Sequence, residues 1–100
     1  MLVHSVFFYL KPELTAADRA AFRAGVDSLR TIASVDTAYI GAPAAVPPRP
    51  VVDATYDVSI TAVFKDVAAH NAYQVDPVHV KFVETYRSYW TRVQIYDAQD

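Results

Sequence analysis

The chain has no cysteine, so it can build no disulfide framework, thiol nucleophile or thiolate metal site. A thiol-free chain suits a reducing compartment, and the expected location is the cytoplasm. There are only two glycines, too few for the phosphate-cradling loops and dinucleotide turns that need several. Charge of one sign is also missing. Nine Lys and Arg stand against eleven Asp and Glu, for a net charge of −2, and no basic cluster occurs, which argues against a nucleic-acid partner. No apolar run is long enough to span a membrane. Residues 2–10 form the densest one, but His4 interrupts it, no positive segment precedes it and no small-residue cleavage pattern follows, so it reads as a strand.

What is present is a chain of 100 residues, 53% hydrophobic and 13% aromatic. That length predicts one domain over residues 1–100, and the apolar excess predicts surface that must be covered. "LVHSVFFYL" (2–10) is apolar on both faces, with Leu2, His4, Val6, Phe8 and Leu10 on one and Val3, Ser5, Phe7 and Tyr9 on the other. Strands of this kind are normally covered on both sides. Residues 15–33 predict an amphipathic helix: Thr15 caps it, Asp18 closes a near capping box, and Phe22, Val26, Leu29 and Ala33 form the buried stripe. Gly25 weakens this helix unless something packs closely against it.

Residues 35–41 predict a short strand, and 42–53, with four of the six prolines, a surface loop. "TYDVSITAVF" (55–64) alternates, Tyr56, Val58, Ile60, Ala62 and Phe64 facing one way. Asp66 caps a helix over 67–75. Asp76-Pro77 then ends it and starts another, whose apolar side is Phe82, Val83, Tyr86, Tyr89 and Trp90. Residues 92–98 predict the closing strand. The order βαββαβ gives an α+β, ferredoxin-like subunit: an antiparallel four-stranded sheet with helices on one face. The uncovered face would hold either Phe7 and Tyr9 or Val6 and Phe8. Such a patch predicts a homodimer packed sheet to sheet.

"AYQVDPVHV" places a phenol, Tyr73, and an imidazole, His79, on either side of the Asp-Pro step. They are either packing residues with polar tips or a pair arranged to move a proton. "VHSVFFYLKPELT", "YDVSITAVFKDVAAHNAY" and "DPVHVKFVETYRSYWTRVQIYD" together resemble the stress-responsive dimeric α/β-barrel (Dabb) family over nearly the whole length. Within it, the pattern is most similar to the plant polyketide cyclase that forms olivetolic acid. The resemblance implies a dimeric α+β barrel with a pocket between helices and sheet. It also implies aldol-type ring closure of a poly-β-ketone thioester without cofactor or metal, by residues matching His4, Tyr73 and His79. A pocket tyrosine of the cyclase falls on Val26 and a histidine on Asp76, two departures from its pattern. Phe22, Val26, Phe82 and Tyr86 are the expected substrate-binding wall, for a small apolar or polyketide-like molecule.

In these roles His79 would be the general base and Tyr73 the oxyanion donor. His79 stands third after the cap Asp76, so its backbone N–H is expected to bond that carboxylate, and the helix end disfavours its protonated form. His4 would bind a substrate oxygen or fix the His79 tautomer, and His70 would face solvent. A metal set of His4, Asp76 and His79 is allowed by donor chemistry but has no local ligand motif. Two other functions fit the same pattern: a non-catalytic stress-associated dimer that binds a ligand or protein, and cofactor-independent oxygenation of phenols.

Overall fold

β1 (Leu2–Leu10) is the middle of the molecule in the computed structural model, which describes all 100 residues. It is followed by α1 (Ala16–Ser28), a 3-10 turn (Leu29–Thr31), β2 (Thr37–Gly41), β3 (Val58–Phe64), α2 (Val67–Val75), α3 (Pro77–Tyr86) and β4 (Trp90–Gln99). The strands form one antiparallel sheet in the order β2-β3-β1-β4. β1 therefore pairs on both edges as a central strand of the sheet. The helices lie on one face, and Leu2, His4, Val6, Phe8 and Leu10 are all buried beneath them. The ferredoxin-like α+β subunit expected from the pattern is the one observed.

Helix α1 starts where its capping box does: the Thr15 hydroxyl accepts from the Asp18 amide at 3.1 Å, and the Asp18 carboxylate accepts from the Thr15 amide at 3.0 Å. It ends sooner than the periodicity predicts. After Ser28 the chain tightens into the 3-10 turn, and the step from the buried Leu29 shortens to three residues, so Ile32 is buried and Ala33 is exposed. Similarly, α3 stops at Tyr86, and Trp90 reaches the core as the first residue of β4, 5.2 Å from the Phe8 ring.

Tyr56 is a further departure. β3 begins only at Val58, so alternation does not bind Tyr56 to the buried face. Its ring instead packs 5.0 Å from Phe7 on the face away from the helices. The Tyr9 hydroxyl donates to Asp53 at 3.3 Å on that same side. The end of the proline loop thus lies on the open face beside Phe7 and Tyr9, and settles which pair is uncovered by helices. Asp57 anchors the loop from below: its carboxylate accepts from the Leu10 amide at 2.7 Å and from Arg19 at 3.3 Å.

Gly25 is needed for α1 to meet α3. A Cβ built there would lie 2.5 Å from Cε2 of Tyr86, whose ring also packs on Phe22, Phe82 and Tyr89 and whose hydroxyl donates to the Ala21 carbonyl at 3.1 Å. In an open helix Gly→Ala gains about 1 kcal/mol, but overpacking a held ring costs about 1–3 kcal/mol. Gly25→Ala should therefore destabilise the chain in equilibrium denaturation. In a Tyr86→Ala background, where the ring is gone, the same change should be neutral or stabilising.

Candidate functional site

The helices do not cover the whole sheet. Over β4 they leave Val93 half-buried and Ile95 44% exposed, and between that strand and the helices lies a partly open hollow of about 290 Å³. Thirteen residues line it, ten of them hydrophobic; the polar groups are His4, Gln74, His79 and the Tyr73 hydroxyl, with no Lys or Arg. β1 supplies His4, Val6 and Phe8, α2 supplies Tyr73 and Gln74, and α3 supplies His79 and Phe82.

The break between α2 and α3 sets the geometry. Asp76 is extended (φ −62, ψ 138) and caps α3, and Pro77 occupies the first helical turn, where its missing N–H is no loss. The Asp76 carboxylate bonds the Val78 amide at 2.9 Å, one residue earlier than the His79 amide expected from the sequence. The His79 side chain lies across Tyr73, with ring centroids 4.6 Å apart.

Tyr73 is 2% exposed, packed edge-on against Phe64 at 5.0 Å and His4 at 6.0 Å. Burial alone pushes its phenol up to about 12, so it remains protonated at any physiological pH and keeps a proton to donate. His79 moves the opposite way. Burial holds its imidazole below the ordinary value, and nearby His4 and His70 add to that, against the Gln74 backbone carbonyl and Asp76. A neutral imidazole beside a protonated phenol is a base paired with a donor, each held in its form by burial.

His4, 3% exposed, is tied to a residue that the sequence reading did not single out. Its Nδ1 lies 2.5 Å from Oδ1 of Asp97. The two face each other across the β1–β4 ladder, on the helix-covered side of the sheet. With Nδ1–H donating to that carboxylate, Nε2 is the ring nitrogen left for other partners. The signal for Asp97 was the parity of the closing strand, useful only once the register with β1 is known. His70 was expected in solvent, but it is half-buried, its ring 4.9 Å from His4 and 5.5 Å from Phe64. All three histidines therefore gather around Tyr73 and Phe64.

Of the expected substrate wall, Phe82 lines the hollow. Phe22 and Val26 do not: both are completely buried in the core, where Phe22 packs between α1, α3 and the covered face of the sheet against Phe8 and Phe82. Tyr86 turns into the groove between α1 and α3. The allowed metal set of His4, Asp76 and His79 is not assembled, since Asp76 is committed to its cap. No helix is long and apolar enough to cross a membrane.

The sequence profile of the stress responsive A/B barrel domain (Dabb) matches residues 2–100. Comparison with curated proteins gave no match. Among solved structures, the chain is similar to a Dabb family protein with a ferredoxin-like fold from Mesorhizobium loti, at 23% identity and TM-score 0.80, covering 99% of this chain and 95% of that one. It is also similar to the hydroxynitrile lyase of Passiflora edulis, at 17% identity and TM-score 0.79 over 97% and 90% of the two chains. A dimeric ferredoxin-like protein of unknown function from Thermobifida fusca gives 15% identity and TM-score 0.79 over 99% and 90%. At these identities the likeness is one of fold.

Burial is the sole influence on the Tyr73 phenol, with no hydrogen bond among them, so its hydroxyl contributes little to the fold. Tyr73→Phe should change unfolding free energy by less than about 1 kcal/mol, whereas Tyr73→Ala, which empties the ring's site, should cost about 3–5 kcal/mol. Urea titration of the two variants checks the contrast.

Proposed function

The chain belongs to the stress-responsive A/B barrel domain family, and from that premise we propose that it is a small cofactor-free enzyme. It carries out an aldol-type ring closure on a neutral, largely apolar polyketone, with His79 as base and Tyr73 as oxyanion donor. The observation that carries this reading is the meeting of the two rings, 4.6 Å apart, on the wall of a mostly apolar hollow. The hydroxynitrile lyase among the neighbours is an enzyme on this same fold.

The steps balance without another reagent. Neutral His79 removes a proton from the carbon between two carbonyls, and the enolate oxygen is held by the Tyr73 hydroxyl. That carbon adds to a more distant carbonyl of the same molecule, forming the ring bond, and the new alkoxide takes the proton back from the imidazolium. His4, with its proton held toward Asp97, offers Nε2 as an acceptor for a substrate hydroxyl or an enol. The hollow has no cation to meet a carboxylate or phosphate, so a neutral substrate segment is what fits it.

The proposal includes a homodimer. Phe7, Tyr9, Tyr56 and Tyr96 lie on the face without helices, Tyr96 63% exposed, and a second copy of the same sheet would cover them. In light scattering the wild type should have twice the chain mass. Tyr96→Asp, which places a charge in that patch, should run as a monomer; a monomeric wild type would remove the dimer from the reading.

Incubation with a generator of linear poly-β-ketone thioesters tests the chemistry. His79→Ala should lower ring-closed product by about 10²–10⁴-fold, and Tyr73→Phe by about 10²–10³-fold. Product ratios unchanged in His79→Ala would overturn it. Because the His79 imidazole is depressed, the base is lost only on acidification below the ordinary imidazole value of about 6.5. kcat/KM should therefore be flat through neutrality and fall on the acid side. No basic limb should appear below pH 10, since Tyr73 titrates near 12.

A further inference from the structure

We propose that His4, His70 and Asp97 form a binding site for a divalent transition-metal ion of the zinc type, beside the hollow. The three come from β1, α2 and β4, and one ligand atom from each lies within 4.8 Å of the other two. Two imidazoles and one carboxylate, with a fourth position left for water, are a zinc-type donor set, and a chain without thiolates has no softer ligands to offer. Spacing along the sequence hides this set, because fold and register alone bring the residues together.

The second layer is already arranged for an ion. His70 Nδ1 is 3.2 Å from Oδ1 of Asn71 and His70 Nε2 is 3.2 Å from the Gln74 amide nitrogen. A carboxamide oxygen only accepts and its nitrogen only donates, so the proton sits on Nδ1 and the lone pair on Nε2. Outer hydrogen bonds of this kind fix ligating histidines in metal sites. At His4 and Asp97 the ion takes the place of the shared proton. Around tetrahedral zinc the ligand atoms stand roughly 3.3 Å apart, from bonds of about 2.0–2.1 Å. The present separation is 2.5 Å, and the Asp97 side chain, 43% exposed on the edge strand, has room to withdraw by that difference. Gln74 gives up its bond to Nε2 and keeps its place on the wall of the hollow.

The site stands on geometry independent of Tyr73 and His79, and holds whether or not the hollow is catalytic. Once filled, it ties the exposed end of β4 to α2 and takes His4 away from any ligand in the hollow. It thus gives the protein a metal-responsive state.

Untagged protein freed of metal by chelator and titrated with Co²⁺ tests the inference. The expected result is saturation at one ion per chain, with the intense visible bands of four-coordinate cobalt, bleached by an equivalent of Zn²⁺. His70→Ala and Asp97→Asn should each weaken binding more than tenfold. Each should still melt cooperatively in chelator with a folded circular-dichroism spectrum, showing that the fold is kept. His79→Ala should bind as the wild type does, which separates this site from the proposed proton chemistry. Pale six-coordinate spectra, absence of saturation, or undiminished binding by His70→Ala would overturn the inference, as would loss of binding in His79→Ala.

Discussion

The Asp76-Pro77 step is the constraint on which the rest of the site depends. A continuous helix from Val67 to Tyr86 would place Tyr73 and His79 on positions that diverge around its axis. Proline cannot donate the bond that would continue the helix, and its ring disfavours helical backbone in the residue before it. Asp76 is accordingly extended and doubles as the cap of the next helix. The bend brings the end of one helix and the start of the next over the same stretch of sheet, and two ring systems meet at its inner edge.

Burial then assigns the roles. The same dry environment acts on a phenol and an imidazole in opposite directions, because in each case it penalises the charged form: phenolate for one, imidazolium for the other. The pair needs no elaborate hydrogen-bond network to be held as donor and acceptor at neutral pH. His4 is treated differently. It is deeper than His79, and its protonation site is set by a carboxylate across the strand pair. A domain this small can hold so many polar groups next to its core because β4 is covered only in part, which leaves both a hollow and an open edge.

Nearly all of the element order was legible in the sequence, and the places where the reading slipped share a cause. Ala33 was read as buried because the helical period was extended past a tightening turn. Tyr56 falls on one face with Val58, Ile60, Ala62 and Phe64 only if strand alternation is extended past the first paired residue. Both are errors at element ends, where the repeat that makes sequences readable stops. Phe22 and Val26 are expected in the pocket, but both are wholly enclosed in the core under the same helices, away from the hollow. A buried stripe identifies what faces inward, not which part of the interior stays open.

The residues by themselves determined a thiol-free, glycine-poor α+β chain with two helices separated by an Asp-Pro break, and a central strand apolar on both faces. Those features depend on local periodicity, capping and backbone sterics, which act over a few neighbours. Only the tertiary structure decided that His4 opposes Asp97, that His70 turns inward beside it, and that the space left open lies under Tyr73 and His79. Such relations depend on strand register and on how far each helix reaches over the sheet. Both are fixed by packing between segments distant in the chain, so no local repeat records them.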